Sequence, residues 1–282
     1  MADRFKDHSF ETPSPRAKTS PCPALNALRN YGFIHRDGKQ IHLSSLVKAL
    51  QDVYNLSEEL AYFLAVPGIL LCGHIVGLYV DLDKLARVNR IEHRFSLVHA
   101  DAGEGQAYAP VEVDEERYNQ LMTINGTEEE QPYLSMEDFI RHRNNLMGKE
   151  NLDKIHATVA SGEIIMIMWM FGKDITVKGK HGTDKKKKLV LKAAMRAWLH
   201  DGKFPEGWET PEKQLTLGEL NGSQKEYKKV VDELLAAAHN ERGTLEQKEA
   251  EKLKGKLEDL VKGDIEQPVG RCPFHASVSK HH

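Results

Sequence analysis

Apolar residues recur at helical spacing along most of this chain, and the strict alternation of a half-buried strand is almost absent. Leu46, Val47, Leu50, Val53 and Tyr54 predict a helix over 44–54, with Asn55 as its stop. A second helix is predicted from Ser57, broken or kinked at Pro67. Positions 81–90 read as a helix with acidic residues first and Arg87 and Arg90 last. Positions 100–131 are polar and read as a long excursion with little core. Further helices are predicted over 136–146, 152–171 and 189–200. The second of these is apolar nearly all round from Ile164 to Phe171 and therefore central. The Lys185–Lys188 run reads as a solvated face or loop. A thin apolar stripe in the charged stretch 225–262 predicts one or two surface helices. The fold class predicted is all-α, with a polar arm over 1–20, one domain over 21–210 and a charged helical extension over 211–282 packed on it.

Composition narrows this picture little. Of 282 residues, 40% are apolar and 29% charged, with a net charge of −3, so nothing calls for a nucleic-acid partner. The apolar stretch 60–80 is interrupted by Pro67, Gly68, Gly73 and His74, and the Ile164–Phe171 run is too short, so no membrane span is predicted. The first residues contain no apolar leader of the secretory kind. That reading gives an intracellular chain, or a secreted one if the sequence is a mature form, and the location stays open. Cys22, Cys72 and Cys272 make no disulfide framework; Cys72 reads as a small buried hydrophobe, and Cys272-Pro273 as a surface tail. The amphipathic tail leaves room for a homodimer.

Three groups of residues carry chemistry. In Pro21-Cys22-Pro23, Pro23 suits the first position of a helix and Cys22 is held extended before it. A thiol there meets unpaired N–H groups that favour an anion, and the resulting thiolate suits a nucleophile, a redox centre or a metal ligand. In the run Asn89 to Ser96, Glu92 and Ser96 offer hard oxygen ligands of the kind Mg²⁺ or Mn²⁺ takes, and His93 titrates near neutral pH. Glu163 lies inside an apolar helix, where burial would raise its pKa toward a value suited to acid–base work; the bland alternative is that it pairs with an arginine or histidine and fixes the packing. Val159, Met166 and Ile167 share its face; the bland alternative for them, as for Trp169 opposite, is core packing.

These pieces occur in one order: "SPCPALNALRNYGFIHRDGKQI", "DLDKLARVNRIEHRFSL", "SGEIIMIMWMFG" and "KFPEGW". That order resembles the fungal haem-thiolate peroxidases, the family of chloroperoxidase and the unspecific peroxygenases, in their short branch, from Ser20 to Trp208. The resemblance implies a helical domain with buried haem b, Cys22 as the iron ligand, Glu163 as the acid–base residue toward hydrogen peroxide and His93 as its partner. It implies a Mg²⁺ or Mn²⁺ ion held by Glu92, Ser96 and the His93 carbonyl. Ile91, Val159, Met166 and Ile167, with Leu64, would line an apolar channel over the haem for fatty acids, sterol side chains, alkenes, terpenes or aromatics. The activity implied is oxygen insertion with peroxidation alongside; a halogenating peroxidase and a non-catalytic haem protein are the rivals. Two departures stand out: Arg94 replaces the acidic residue of the family's Glu-His-Asp, and His156, seven positions before Glu163, occupies the place of the long branch's arginine and rivals His93 as partner.

Overall fold

The computed structural model describes residues 5–178 and 184–234, with single positions 236 and 251. Met1–Asp232 forms one compact unit and Glu233–His282 another, so neither position 20 nor position 210 marks a boundary between units. Cys272-Pro273 and most of the predicted extension lie outside the described residues.

Seven helices and five strands are formed among the described residues of the named elements. Helix α1 (Pro23–Asn30) starts at Pro23, with Cys22 extended before it at φ −87° and ψ 114°. The residues predicted as an arm are tied down: Glu11 N–H donates to Asn30 O at 2.9 Å, and the Phe5 ring packs edge-on against Tyr31, Phe33, Phe204 and Trp208. A two-stranded antiparallel pair joins β1 (Ile41–His42) to β2 (Tyr79–Val80). Helix α2 (Leu43–Tyr54) ends at Asn55, whose φ of 52° is the left-handed conformation asparagine tolerates.

Helix α3 (Glu58–Cys72) runs through Pro67 where a break was predicted. The carbonyl that Pro67 leaves without its i+4 donor is that of Phe63, an exposed residue. The predicted 81–90 helix is only a 3₁₀ turn over Leu82–Ala86. Asp81 and Asp83 bond outside it instead, accepting from Gln40 N–H and Lys18 Nζ at 2.8 Å each. The polar excursion contains α4 (Glu115–Thr123), capped by Asp114 and burying Tyr118, Leu121 and Met122. Helix α5 (Met136–Met147) opens on a Ser135–Asp138 capping box, and α6 (Lys154–Phe171) is capped by Asp153 and stops at Gly172.

A sheet accompanies the helices of the predicted all-α fold. Strands β3 (Tyr133–Ser135), β4 (Lys173–Lys178) and β5 (Asp184–Leu191) form an antiparallel sheet in the order β3-β5-β4. The Lys185–Lys188 run is therefore strand, paired with Val177, Thr176, Ile175 and Asp174, its side chains exposed. Pairing on both sides specifies this strand, because its own sequence lacks an alternating apolar face. Only Lys192–Met195 (α7) of the predicted 189–200 helix is α-helical; a π-helical turn follows over Arg196–His200. Residues 217–232 are helical. No helix among the described residues is long and apolar enough to cross a membrane.

Candidate functional site

The loop before α1 is fixed from inside. Ser20 N–H donates to Asn26 Oδ1 at 2.9 Å, Asn26 Nδ2 donates back to Ser20 O at 2.8 Å, and Cys22 N–H donates to Ser20 Oγ at 3.0 Å. Tyr54 Oη adds a 2.8 Å bond to Ala24 O. This places the Cys22 thiol at the start of α1, as the proline pattern predicts, but does not make it a thiolate. Burial pushes its pKa up to about 11; the Leu25 and Ala24 N–H groups pull it down, while the nearby charges of Glu163 and Glu92 push it up again. The helix N-terminus acts in the predicted direction and is outweighed by desolvation and two carboxylates.

The segment carrying His93 is strapped to α4 and α5. His142 Nε2 lies 2.8 Å from Leu97 O, Arg143 Nε donates to Phe95 O at 3.3 Å, and Arg117 Nη1 donates to His99 O at 2.6 Å. Phe95 N–H donates to Asp101 Oδ1 at 2.8 Å, and Phe95 itself has a φ of 64°, a strained value for a bulky residue that these bonds impose.

Glu163 sits between two cations. Its Oε1 is 3.3 Å from His93 Nε2, an ion contact without hydrogen-bond alignment, and its Oε2 accepts from Arg143 Nη2 at 2.8 Å. Arg143 is 3% exposed and also donates to Ala160 O. His93 Nδ1 lies 2.8 Å from Arg94 O, a carbonyl that can only accept, so Nε2 carries a proton toward Glu163 only in the imidazolium. Burial works against that charge and Glu163 outweighs it, so the His93 pKa is raised.

Burial also pushes the Glu163 carboxyl up, but His93 and then Arg143 overcome it and hold its pKa at about 2. The predicted upward shift is therefore reversed. Although enclosed by these groups, Glu163 keeps 40% of its side-chain area open on the remaining side.

His156 belongs elsewhere: its Nδ1 lies 2.5 Å from Asp153 Oδ2 at the start of α6. Val159 and Met166 are half-buried on the Glu163 face, as are Leu64 and Ile91 on other segments, whereas Ile167 is 3% exposed. Trp169, predicted to be core, is half-buried beneath Lys213. Cys72 is half-buried, and both described cysteines are free thiols. Glu92 is pushed up to about 7 by burial and then by Glu163, against the opposing pull of His93, while Arg94 pairs with Glu150 at 2.5 Å. No three His, Cys, Asp or Glu side chains converge on a metal position among the described residues.

Arg143 escaped the sequence reading. Its signal was there: it lies four positions after Phe139 and three after Ile140, a charge on the buried stripe of α5. A charge so placed needs a partner, and Glu163 is that partner.

The profile of the family described as "Peroxidase, family 2" matches residues 8–213. The chloroperoxidase of Leptoxyphium fumago is 27% identical over 115 residues, 39% of this chain and 31% of that protein. A dothistromin biosynthesis peroxidase of Dothistroma septosporum is 34% identical over 71 residues, 25% of this chain and 17% of its own length. An aromatic peroxidase of Fusarium equiseti is 38% identical over 58 residues, 21% of this chain and 13% of its own. The matched segments thus span less than a third of each of these relatives.

Proposed function

The chain belongs to peroxidase family 2, and from that premise we propose that it is a haem-thiolate peroxygenase. It would use hydrogen peroxide to hydroxylate or epoxidise hydrophobic organic molecules, with peroxidation alongside. The observation that carries this reading is Glu163: a carboxylate held from one side by His93 and Arg143, open on the other, and within charge range of Cys22.

The residues fit a haem. Cys22 is a thiol whose nearby charges are carboxylates and whose burial keeps the proton on, so a thiolate there calls for a cation, which ligated iron supplies. Haem b, when bound, supplies the redox chemistry that activates peroxide. The chain's own part is proton handling. Glu163, ionised at neutral pH, would take a proton from hydrogen peroxide on its exposed side and return it to the oxygen that departs as water. His93 and Arg143 keep the carboxylate in one orientation through that exchange. The half-buried aliphatic side chains of Val159, Met166, Leu64 and Ile91 suit flexible hydrophobic substrates such as fatty acids or terpenes.

Glu92, with the His93 carbonyl and Ser96, would hold Mg²⁺ or Mn²⁺. Burial and a carboxylate neighbour raise this carboxyl to about 7 in spite of His93, and a divalent cation would offset both.

The reduced, carbon-monoxide-treated protein is expected to show a red-shifted thiolate-type Soret band that Cys22→Ala abolishes. Absence of that band in the unmutated protein ends the proposal. The chloroperoxidase relative favours one second reading, halide oxidation on the same residues. Products from a fatty acid with and without bromide separate the two: oxygenated products without halide are expected, and exclusively halogenated ones would remove the oxygen-insertion claim.

A further inference from the structure

Tyr54, the last residue of α2, is 2% exposed, and its hydroxyl donates to Ala24 O at 2.8 Å. The phenol has little freedom. Its ring lies against Phe204 and Trp208, with centroids 5.9 and 6.1 Å away. The next residue, Asn55, donates through Nδ2 to Pro211 O at 2.8 Å, and Ser57 N–H donates to Leu215 O at 2.8 Å. The end of α2 is thus strapped to the 211–215 segment, and its hydroxyl is delivered to one carbonyl.

The position of that carbonyl matters. Cys22 caps α1, so Pro23, Ala24 and Leu25 are the first three residues of the helix. Of the four N–H positions that open a helix without a carbonyl partner inside it, Cys22 gives its own to Ser20 Oγ at 3.0 Å and Pro23 has none. Ala24 and Leu25 supply the other two, at the end of the helix that carries the sulfur. The Leu25 position is one from which a capping side chain takes its hydrogen bond. The thiol accepts no capping bond there, whereas a thiolate, carrying a full charge, is a far stronger acceptor. Ala24 O and Leu25 N–H belong to one planar, conjugated peptide unit. A hydrogen bond given to that oxygen draws electron density through the unit and strengthens its N–H as a donor.

We propose that Tyr54 is a positioning residue for Cys22: through the Ala24 carbonyl it fixes and polarises the Leu25 N–H, and thereby sets how much charge the sulfur passes to a bound iron. This rests on the reading of Cys22 as a haem ligand. A buried tyrosine needs some acceptor in any fold, and a purely structural bond here would leave the sulfur's electronics unchanged.

Tyr54→Phe in the full-length, haem-loaded chain keeps the ring against Phe204 and Trp208 and deletes one oxygen. With a weaker Leu25 donor the sulfur retains more charge and pushes it toward the iron. The ferric–ferrous potential should become more negative, and the carbon–oxygen stretch of the carbon-monoxide adduct should fall in frequency. A ring-fluorinated tyrosine at the same position, whose hydroxyl is a stronger donor, should move both readings the opposite way. In haem-free protein, the amide nitrogen shift of Leu25 responds to hydrogen bonding at the preceding carbonyl. It should move upfield in Tyr54→Phe, while that of Ala27 stays in place.

A potential and a stretch that Tyr54→Phe leaves unmoved overturn the proposal, as do shifts of the same sign in both variants. A lowered unfolding midpoint with neither reading changed makes Tyr54 a packing residue and overturns it equally. If Tyr54→Phe takes up no haem, the fluorinated variant and the Leu25 amide decide the matter, and an unmoved Leu25 shift sinks the idea. If the unmutated protein gives no thiolate-type carbon-monoxide band, the reading of Cys22 has failed and this role falls with it. If that band is present while Tyr54→Phe changes neither potential nor stretch, only the role of Tyr54 is lost.

Discussion

Around Cys22 the charges within range are the carboxylates of Glu163 and Glu92, and the thiol sits at about 11. Around Glu163 they are His93 and Arg143, and the carboxyl sits at about 2. Both groups are desolvated by one fold, so burial alone does not separate them. Neighbouring charge does: the chain provides two cations to the carboxylate and none of the charges acting on the thiol. A protein whose thiol were meant to act unaided as a nucleophile would be expected to reverse this arrangement, lowering the thiol with a basic neighbour. The asymmetry fits a thiol completed by a metal cation and a carboxylate already complete without one.

The comparison is broken most severely at the carboxylate. Glu163→Gln keeps size and burial but removes the proton-accepting oxygen, and the peroxide step should slow by about 10²- to 10⁴-fold. The Cys22-dependent carbon-monoxide band should persist, because the thiol end is untouched. Measuring both on one preparation separates loss of proton transfer from loss of haem; a variant at full rate would remove Glu163 from the reaction.

The two halves of this comparison were unequally legible in the sequence. Cys22 was readable because its signal is local: two prolines fix the backbone on either side, and Pro23 starts the helix. Glu163 was readable as a charge in an apolar run, and α6 ends at Gly172 as the pattern predicts. What acts on these groups was not local. Arg143 approaches Glu163 from a segment 20 residues earlier by chain number. Local reasoning therefore favoured the burial effect on Glu163 over pairing with an arginine or histidine, so the direction of the shift came out reversed. At Cys22 it gave the helix N–H groups and missed the carboxylates. Strand β5 was hidden for the same reason: its lysines are placed by partners on β4, and its last residues, Leu189–Leu191, by partners on β3.

The smallest expected effect sharpens the comparison most directly, because the two groups should act at opposite ends of the pH scale. Glu163 has a folded pKa of about 2 against its ordinary 4.5, so its ionisation contributes stability that is complete above pH 4.5 and is lost as pH falls through 2. Cys22, at about 11 against 9.0, contributes stability that is complete below pH 9 and is lost as pH rises through 11. Glu92, at about 7 against 4.5, behaves like Cys22, its contribution complete below 4.5 and lost as pH rises through 7. Unfolding midpoints of the haem-free protein across these ranges should show the corresponding slopes, on a scale of roughly 2–4 °C for each kcal/mol in a chain of this size. Glu163→Gln should flatten the acid slope alone, Glu92→Gln the middle one and Cys22→Ala the alkaline one. An acid slope that survives Glu163→Gln would mean that His93 and Arg143 do not hold the carboxylate ionised. An alkaline slope that survives Cys22→Ala would mean that the thiol is not the group held protonated. With haem bound, the alkaline slope should disappear from the unmutated protein as well, since an iron-ligated thiolate has no proton left to lose.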